Sequence, residues 1–125
     1  MRRITLGLAA VAALALPSLA QAHPKLVSAT PAAEATVPKP TELKLTFSEA
    51  LVGPLSGIDL AMTGMPGMAN HAPTQIAHTS AMSQDGKTMT LTPRRVLARG
   101  TYRVTWSAAG SDTHRMGSNF SFTVR

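Results

Sequence analysis

The sequence predicts an all-β domain, built as a single antiparallel Greek-key β-sandwich that follows a cleaved signal peptide. Three observations lead to this prediction. Short segments alternate apolar and polar residues with a period of two, turn-forming residues separate these segments, and no sustained helical periodicity occurs after residue 22. Several short strands within about a hundred residues are typical of a β-sandwich.

The first 22 residues have the three parts of a secretory signal peptide. Met1-Arg2-Arg3 gives a positive start, and residues 4–16 form an apolar run that a proline ends. Ala20-Gln21-Ala22 then provides the small-x-small pattern that a signal peptidase accepts. We therefore predict that residues 1–22 are removed, that residues 23–125 form the domain, and that the protein reaches the bacterial periplasm. The alternative is a permanent N-terminal anchor, although the run is short for a membrane span.

Within residues 23–125 the alternating segments define the strands that we expect. They are residues 43–47, 58–60, 88–92, 102–106 and 120–124. In each segment the apolar side chains would face one side of a sheet and the polar side chains the other. Tyr102 stands two residues after Gly100 at a strand entry, which resembles the tyrosine corner of Greek-key sandwiches. The expected fold is therefore immunoglobulin/cupredoxin-like, with no second domain.

The charge and the cysteine content narrow the possible functions. Loss of Arg2 and Arg3 leaves ten of the twelve basic residues against six acidic ones, a net charge of +4. The basic residues are scattered apart from one group at Arg94, Arg95 and Arg99, and no aromatic residues alternate with them. This pattern favours solubility or docking to an anionic surface over nucleic-acid binding. The absence of cysteine excludes thiolate metal sites and leaves histidine, methionine and carboxylates as metal ligands.

The new N-terminus is the first candidate metal ligand. Cleavage after Ala22 would give His23 both a free α-amino group and an imidazole, which together chelate one Cu(II) ion through two nitrogens. Pro24 has no amide N–H to be deprotonated and recruited, so the ion must complete its shell elsewhere. The alternative is that a histidine follows the cleavage site by chance.

Asp112-Thr113-His114 supplies the second candidate. Residues two apart in an extended backbone point to the same side, so this carboxylate and this imidazole would converge on one ion. Nitrogen and oxygen donors in a tetragonal arrangement suit Cu(II). The alternative is a turn in which Asp112 caps the backbone and His114 is solvated. Glu49, at the end of a predicted strand, would either add an acceptor or be a solvated charge.

The methionine-rich segment 62–71 is the third candidate. Met62, Met65 and Met68 are spaced by three residues, but the glycines and the proline between them disfavour a helix and predict a loop. Soft thioether sulfurs together with the imidazole of His71 form a donor set that suits Cu(I). The alternative is a flexible apolar loop packed on the sandwich.

Together these segments resemble the CopC-like periplasmic copper resistance and copper-binding proteins, and the resemblance runs through nearly all of residues 23–125. The matching segments are residues 23–28, 45–49, 62–68, 100–102 and 111–114. The resemblance implies a β-sandwich with a Cu(II) site at one end and, in some members, a methionine-rich Cu(I) site at the other.

Carried over by position, the resemblance implies Cu(II) ligands at His23, Asp112 and His114, with Glu49 nearby. It implies Cu(I) ligands at Met62, Met65, Met68 and His71. The methionine segment departs from the family pattern, because Ala69 and Asn70 separate Met68 from His71 where one residue is expected. Thr74 also stands where a further methionine would follow. The Cu(I) shell is therefore expected to be one sulfur poorer or to borrow Met82.

The resemblance implies a copper carrier rather than an enzyme. Such a protein would sequester copper in copper resistance and homeostasis and pass it to an inner-membrane CopD-like partner. One alternative is a copper-dependent oxidoreductase that uses the N-terminal histidine chelate, although Asp112 would then occupy a position that oxygen chemistry needs open. Another alternative is an adhesion or interaction module whose histidines and methionines are incidental.

Overall fold

A computed structural model describes residues 23–125, and the predicted signal peptide, residues 1–22, lies outside the described residues. Within this range the chain forms strands β1 (Leu26–Thr30), β2 (Thr36–Val37), β3 (Leu43–Phe47), β4 (Gly57–Gly64), β5 (Thr74–Gln75), β6 (His78–Met82), β7 (Thr88–Pro93), β8 (Gly100–Ala109) and β9 (Arg115–Val124), with a 3₁₀ turn at Gly53–Leu55 between β3 and β4. No helix in residues 23–125 is long and apolar enough to cross a membrane.

The strands form two sheets, which confirms the predicted β-sandwich. One sheet has the order β1-β3-β7-β6 and the other has the order β2-β9-β8-β4-β5. Neighbouring strands are antiparallel except for β2, which pairs with β9 in parallel through Thr36 and Val37. The tyrosine corner is also present, because the Tyr102 hydroxyl donates a hydrogen bond of 2.7 Å to the carbonyl oxygen of Ala98.

The apolar faces of the predicted strands form the core between the sheets. Each contributing strand alternates its side chains between the interior and the outer face. The central strands β3, β4, β7, β8 and β9 bury the large residues Leu43, Leu45, Phe47, Ile58, Leu60, Met62, Met89, Leu91, Tyr102, Val104, Phe122 and Val124. Trp106 packs at the margin of this core, with its ring edge-to-face against Phe47 at 5.1 Å between centroids.

Four strands were not predicted, namely β1, β2, β5 and β6. They are the outermost strands of the two sheets, and most of their residues are at least partly exposed. Because an edge strand packs little surface, its sequence carries no strong alternation. The prediction of a loop from residue 62 was also wrong in part, since β4 continues through Thr63 to Gly64.

The two ends of the sandwich carry different candidate residues. At one end, the start of β1 meets the end of β3, and the end of β8 meets the start of β9. We call this the histidine end, defined by His23, Ser48, Glu49 and residues 110–114. At the other, Gly64 pairs with Thr101 and Gly100 with Val124. We call this the methionine end, defined by residues 64–69 and 94–100.

Candidate metal centre

Three predicted ligands lie together at the histidine end. His23 Nδ1 is 3.5 Å from Asp112 Oδ2, and His114 Nδ1 is 3.3 Å from the same oxygen. The three residues each offer a ligand atom, and these atoms lie within 4.8 Å of one another. Metal bonds to such atoms are about 2 Å long, so ligand atoms of one ion lie roughly 3 to 4 Å apart. The spacing of these three ligand atoms is therefore close to that of a metal site.

A tight turn between β8 and β9 positions Asp112 and His114. The backbone N–H of Thr113 donates to the Gly110 carbonyl at 2.9 Å, and Thr113 adopts a left-handed backbone with φ of 63°. The N–H of His114 donates to Asp112 Oδ1 at 3.1 Å. The extended backbone that we expected here is therefore wrong. The two side chains converge through a turn, and Asp112 caps that turn with one oxygen while the other oxygen faces both imidazoles.

His23 is placed by the residues that follow it. Pro24 is fully buried. The Lys25 N–H donates to Ser48 Oγ at 2.9 Å, and the Ser48 N–H donates to the Lys25 carbonyl at 2.8 Å. These contacts fasten the chain just after His23 to the end of β3. Ser48 was not predicted as a positioning residue, because its only signal in the sequence is a hydroxyl at the end of a predicted strand.

Glu49 follows Ser48 and lies next to this fastening point, but it is not part of the three-residue cluster. Its atom Oε1 is buried and has no hydrogen-bond partner within the described residues. A buried carboxylate oxygen without a partner costs free energy unless a proton donor or a cation reaches it. Glu49 therefore supplies an unsatisfied acceptor at the histidine end.

The cluster is open to solvent on its histidine side. The side chain of Asp112 is 25% exposed, whereas those of His23 and His114 are 51% and 76% exposed. The two imidazole rings are stacked, with centroids 5.9 Å apart and planes 16° from parallel. The arrangement leaves nitrogen and oxygen donor atoms accessible from solvent.

At the methionine end, Met65 and Met68 face each other across a tight hairpin turn. Each donates its backbone N–H to the carbonyl of the other, at 2.9 Å in both directions. Pro66 and Gly67 form the corner, and Gly67 has the φ of 83° that a type II turn requires at this position. Directly opposed residues project from the same face of a hairpin, so the two thioethers share one side.

The other two predicted Cu(I) ligands are placed differently. The N–H of His71 donates to the Thr63 carbonyl at 3.0 Å, which holds His71 beside the hairpin. Its Nδ1 lies 2.7 Å from the Ala72 carbonyl, and its Nε2 is buried without a partner within the described residues. Met62 is 9% exposed and points into the core. The structure thus brings Met65 and Met68 together, places His71 nearby, and turns Met62 inward.

Known proteins are similar in sequence to most of this chain. A family model described as the CopC domain matches residues 26–125. Copper resistance protein C of Escherichia coli is 46% identical over 106 residues, covering 85% of this chain and 84% of that protein. Copper resistance protein C of Pseudomonas syringae pv. tomato is 45% identical over 114 residues, covering 91% of this chain and 90% of that protein.

Solved structures give the same result at the level of the fold. The crystal structure of PcoC, a methionine-rich copper resistance protein from Escherichia coli, superposes with a TM-score of 0.76 at 44% identity, covering 83% of this chain and 100% of that one. CopC from Methylosinus trichosporium OB3b superposes with a TM-score of 0.67 at 26% identity, covering 82% of this chain and 93% of that one. The chain belongs to the CopC domain family.

Proposed function

We propose that residues 23–125 form a periplasmic carrier that binds Cu(II) at the histidine end. The observation that supports this most directly is the convergence of His23, Asp112 and His114, whose ligand atoms lie within 4.8 Å of one another. Imidazole nitrogens with a carboxylate oxygen suit Cu(II). The relatives are named copper resistance proteins, which supports copper as the ion and copper resistance and homeostasis as the setting.

The histidine chelate depends on removal of residues 1–22. A free α-amino group on His23 would lie next to Nδ1, the ring nitrogen nearer the main chain, and Nδ1 is the atom that faces Asp112. The amine and Nδ1 of His23 would then occupy two positions around Cu(II), and Asp112 and His114 would complete the square. Glu49 would approach as a weaker fifth ligand or hold a metal-bound water, because its Oε1 has no hydrogen-bond partner in the described part of the chain.

A second ion, Cu(I), is proposed to bind at the methionine end. Met65 and Met68 share one side of the hairpin, and the Nε2 of His71 has no hydrogen-bond partner among residues 23–125. Two thioethers and one imidazole form a soft, uncharged donor set that favours Cu(I) over harder divalent ions. We propose that Met62 supports the hairpin from the core, since its side chain packs there.

The openness of the histidine end favours transfer over catalysis. Two of its three ligands are at least half exposed, which suits hand-over of an ion to a partner. Asp112 fills a coordination position that an oxygen-activating site would leave open. We propose that the recipient or donor is an inner-membrane CopD-like protein and that this chain itself performs no turnover.

The first experiment measures the mass of the secreted protein with and without Cu(II). The expected species begins at His23 and gains one copper ion. Replacement His23→Ala should weaken Cu(II) binding by at least about tenfold, because the chelate loses its imidazole. The matched control is His78→Ala, since His78 lies on β6 and bonds to the Ile76 carbonyl instead. A protein that starts elsewhere, or a His23→Ala variant with full affinity, would contradict the proposal.

A further inference from the structure

The net charge of residues 23–125 is concentrated on one surface at the methionine end. Five cations, Lys39, Arg94, Arg95, Arg99 and Arg125, line the grooves there, and none of the six acidic residues does so. Elsewhere in residues 23–125 the five other basic residues are outnumbered by the six acidic ones, so the net positive charge comes from these five cations. Within the described residues, none of the five forms an ion pair. We call these residues, together with Val96, the basic surface.

One apolar side chain lies next to three of these cations. Val96 is 77% exposed, more than the other large hydrophobic residues that face solvent in residues 23–125. It lines two shallow grooves together with Arg94 and Arg95, and Lys39 lies in one of them. An isolated exposed valine is common, but a valine that shares its grooves with three unpaired cations is typical of surfaces that bind both charged groups and hydrocarbon.

The segment that presents Val96 is held firmly by its neighbours. Leu97 is buried in the core, and the carbonyl of Ala98 accepts the Tyr102 hydroxyl at 2.7 Å. On the other side, the N–H of Arg94 donates to the Ala77 carbonyl at 2.9 Å. The tyrosine corner thus fixes the position of Val96 between its flanking arginines. A surface that is already ordered loses little conformational freedom when it binds.

We propose that the basic surface docks this domain on a bilayer that carries anionic phospholipids. The five cations would bind headgroup phosphates, and Val96 would enter the apolar layer just below them. A bilayer has a layer of charged headgroups over a layer of hydrocarbon, which matches this arrangement. An acidic protein would have to supply negative charges and an apolar contact at the same place. Docking in this orientation would leave the histidine end pointing away from the membrane. The proposal does not depend on copper at either end.

The test is co-sedimentation of metal-free protein with vesicles. Vesicles of phosphatidylcholine mixed with phosphatidylglycerol should bind the protein at low salt, and pure phosphatidylcholine vesicles should not. Because each basic residue contributes about 1 kcal/mol at such a surface, the double variant Arg94→Gln/Arg95→Gln should bind roughly 30-fold more weakly. The matched control is Lys25→Gln/Lys87→Gln, which removes the same charge away from the basic surface. Equal weakening by both pairs, or no binding to anionic vesicles, would overturn the proposal.

A second variant tests the apolar contact. Val96→Trp should show a blue-shifted emission with anionic vesicles, whereas the native Trp106, at the margin of the core, should not change. Soluble polyglutamate serves as a mimic of an acidic protein. Binding to polyglutamate without binding to vesicles would assign the basic surface to a protein partner and would overturn the assignment to lipid.

Discussion

The two oxygens of Asp112 face different partners and have different tasks. Oδ1 accepts the N–H of His114 and shapes the turn, whereas Oδ2 lies 3.5 Å from His23 Nδ1 and 3.3 Å from His114 Nδ1. The cap and the proposed metal ligand were alternatives when only the sequence was considered. In the structure one oxygen of the carboxylate forms the cap, and the other faces the two imidazoles and takes no part in the turn.

This division predicts that the two tasks of Asp112 can be separated. Asp112→Asn keeps an oxygen that accepts the His114 N–H but removes the negative charge. We expect the midpoint of thermal unfolding without metal to change little, and Cu(II) affinity to fall by about tenfold or more. Asp112→Ala should lower both. The measurements are a thermal melt of the metal-free protein and a Cu(II) competition titration, and an Asp112→Asn variant with native affinity would exclude the carboxylate as a ligand.

Tyr102 gives a prediction about stability at alkaline pH. Burial raises the pKa of Tyr102 above its ordinary value of 10.0. The folded protein therefore retains the phenol proton more strongly than the unfolded chain does. Its contribution to stability is complete below pH 10.0 and is lost as the pH rises through the folded-state pKa. Since this is the chain's only tyrosine, phenolate absorbance reports its ionisation directly.

The variant Tyr102→Phe isolates this effect. At neutral pH it should lower the free energy of unfolding by about 1 kcal/mol, because the Ala98 carbonyl loses its donor. Above pH 10 the difference from the native protein should shrink, since phenylalanine does not ionise. Urea unfolding at both pH values measures it. A difference that stays constant with pH would show that Tyr102 ionises equally in the folded and unfolded states.

Among the elements, those with two strand neighbours were predicted and those with one were not. Leu43, Leu45 and Phe47 lie on β3, which packs between β1 and β7, and their alternation was visible in the sequence. On the edge strand β6 all five residues keep some exposure, and on β1 the pairing shifts register between Leu26 and Ser28. Because these strands have no continuous buried face, their apolar and polar residues do not alternate with a period of two. They are held by backbone pairing, which leaves no pattern in the sequence.

For the candidate site, the sequence predicted the types of ligand but not how they are placed. The ligand types at His23, Asp112 and His114 are evident from the residues themselves. Their placement depends on contacts between distant segments, such as Lys25 with Ser48, and on the left-handed conformation of Thr113. Such contacts form only in the folded chain and are not visible in the local sequence. The turn at residues 112–114 was therefore wrongly predicted to be extended.

The Met65–Met68 hairpin predicts a selective loss of Cu(I) binding. Met65→Leu/Met68→Leu keeps the apolar character of the hairpin but removes both sulfurs, so Cu(I) affinity should fall by about tenfold or more while Cu(II) affinity stays unchanged. Met116→Leu is the control, because Met116 is 42% exposed and Met65 is 43% exposed, yet Met116 lies at the start of β9. Competition with a chromogenic Cu(I) chelator measures the affinity, and equal losses in both variants would refute the assignment.

The whole molecule keeps its two candidate copper sites apart. Strand β8 runs ten residues from the methionine end to the histidine end. At about 3.3 Å per residue this separates the ends by roughly 30 Å. The strand pairs along its full length with β9 and for most of it with β4, which makes it a stiff spacer. An ion at one end therefore cannot share ligands with an ion at the other, and transfer within one chain would require release into solvent.

This separation predicts that the two ends bind their ions independently. Charges some 30 Å apart are screened at physiological salt, where the Debye length is about 8 Å. Ag(I) serves as a redox-inert mimic of Cu(I) and should occupy the methionine end. Cu(II) titrations followed by quenching of Trp106, with and without saturating Ag(I), should give affinities within about twofold of each other. Thermodynamic linkage requires bound Cu(II) to change the Ag(I) affinity by the same factor. A tenfold shift would mean that the sandwich transmits a change along β8, and copper transfer would then have to be treated as a coupled process rather than as two separate exchanges with partners.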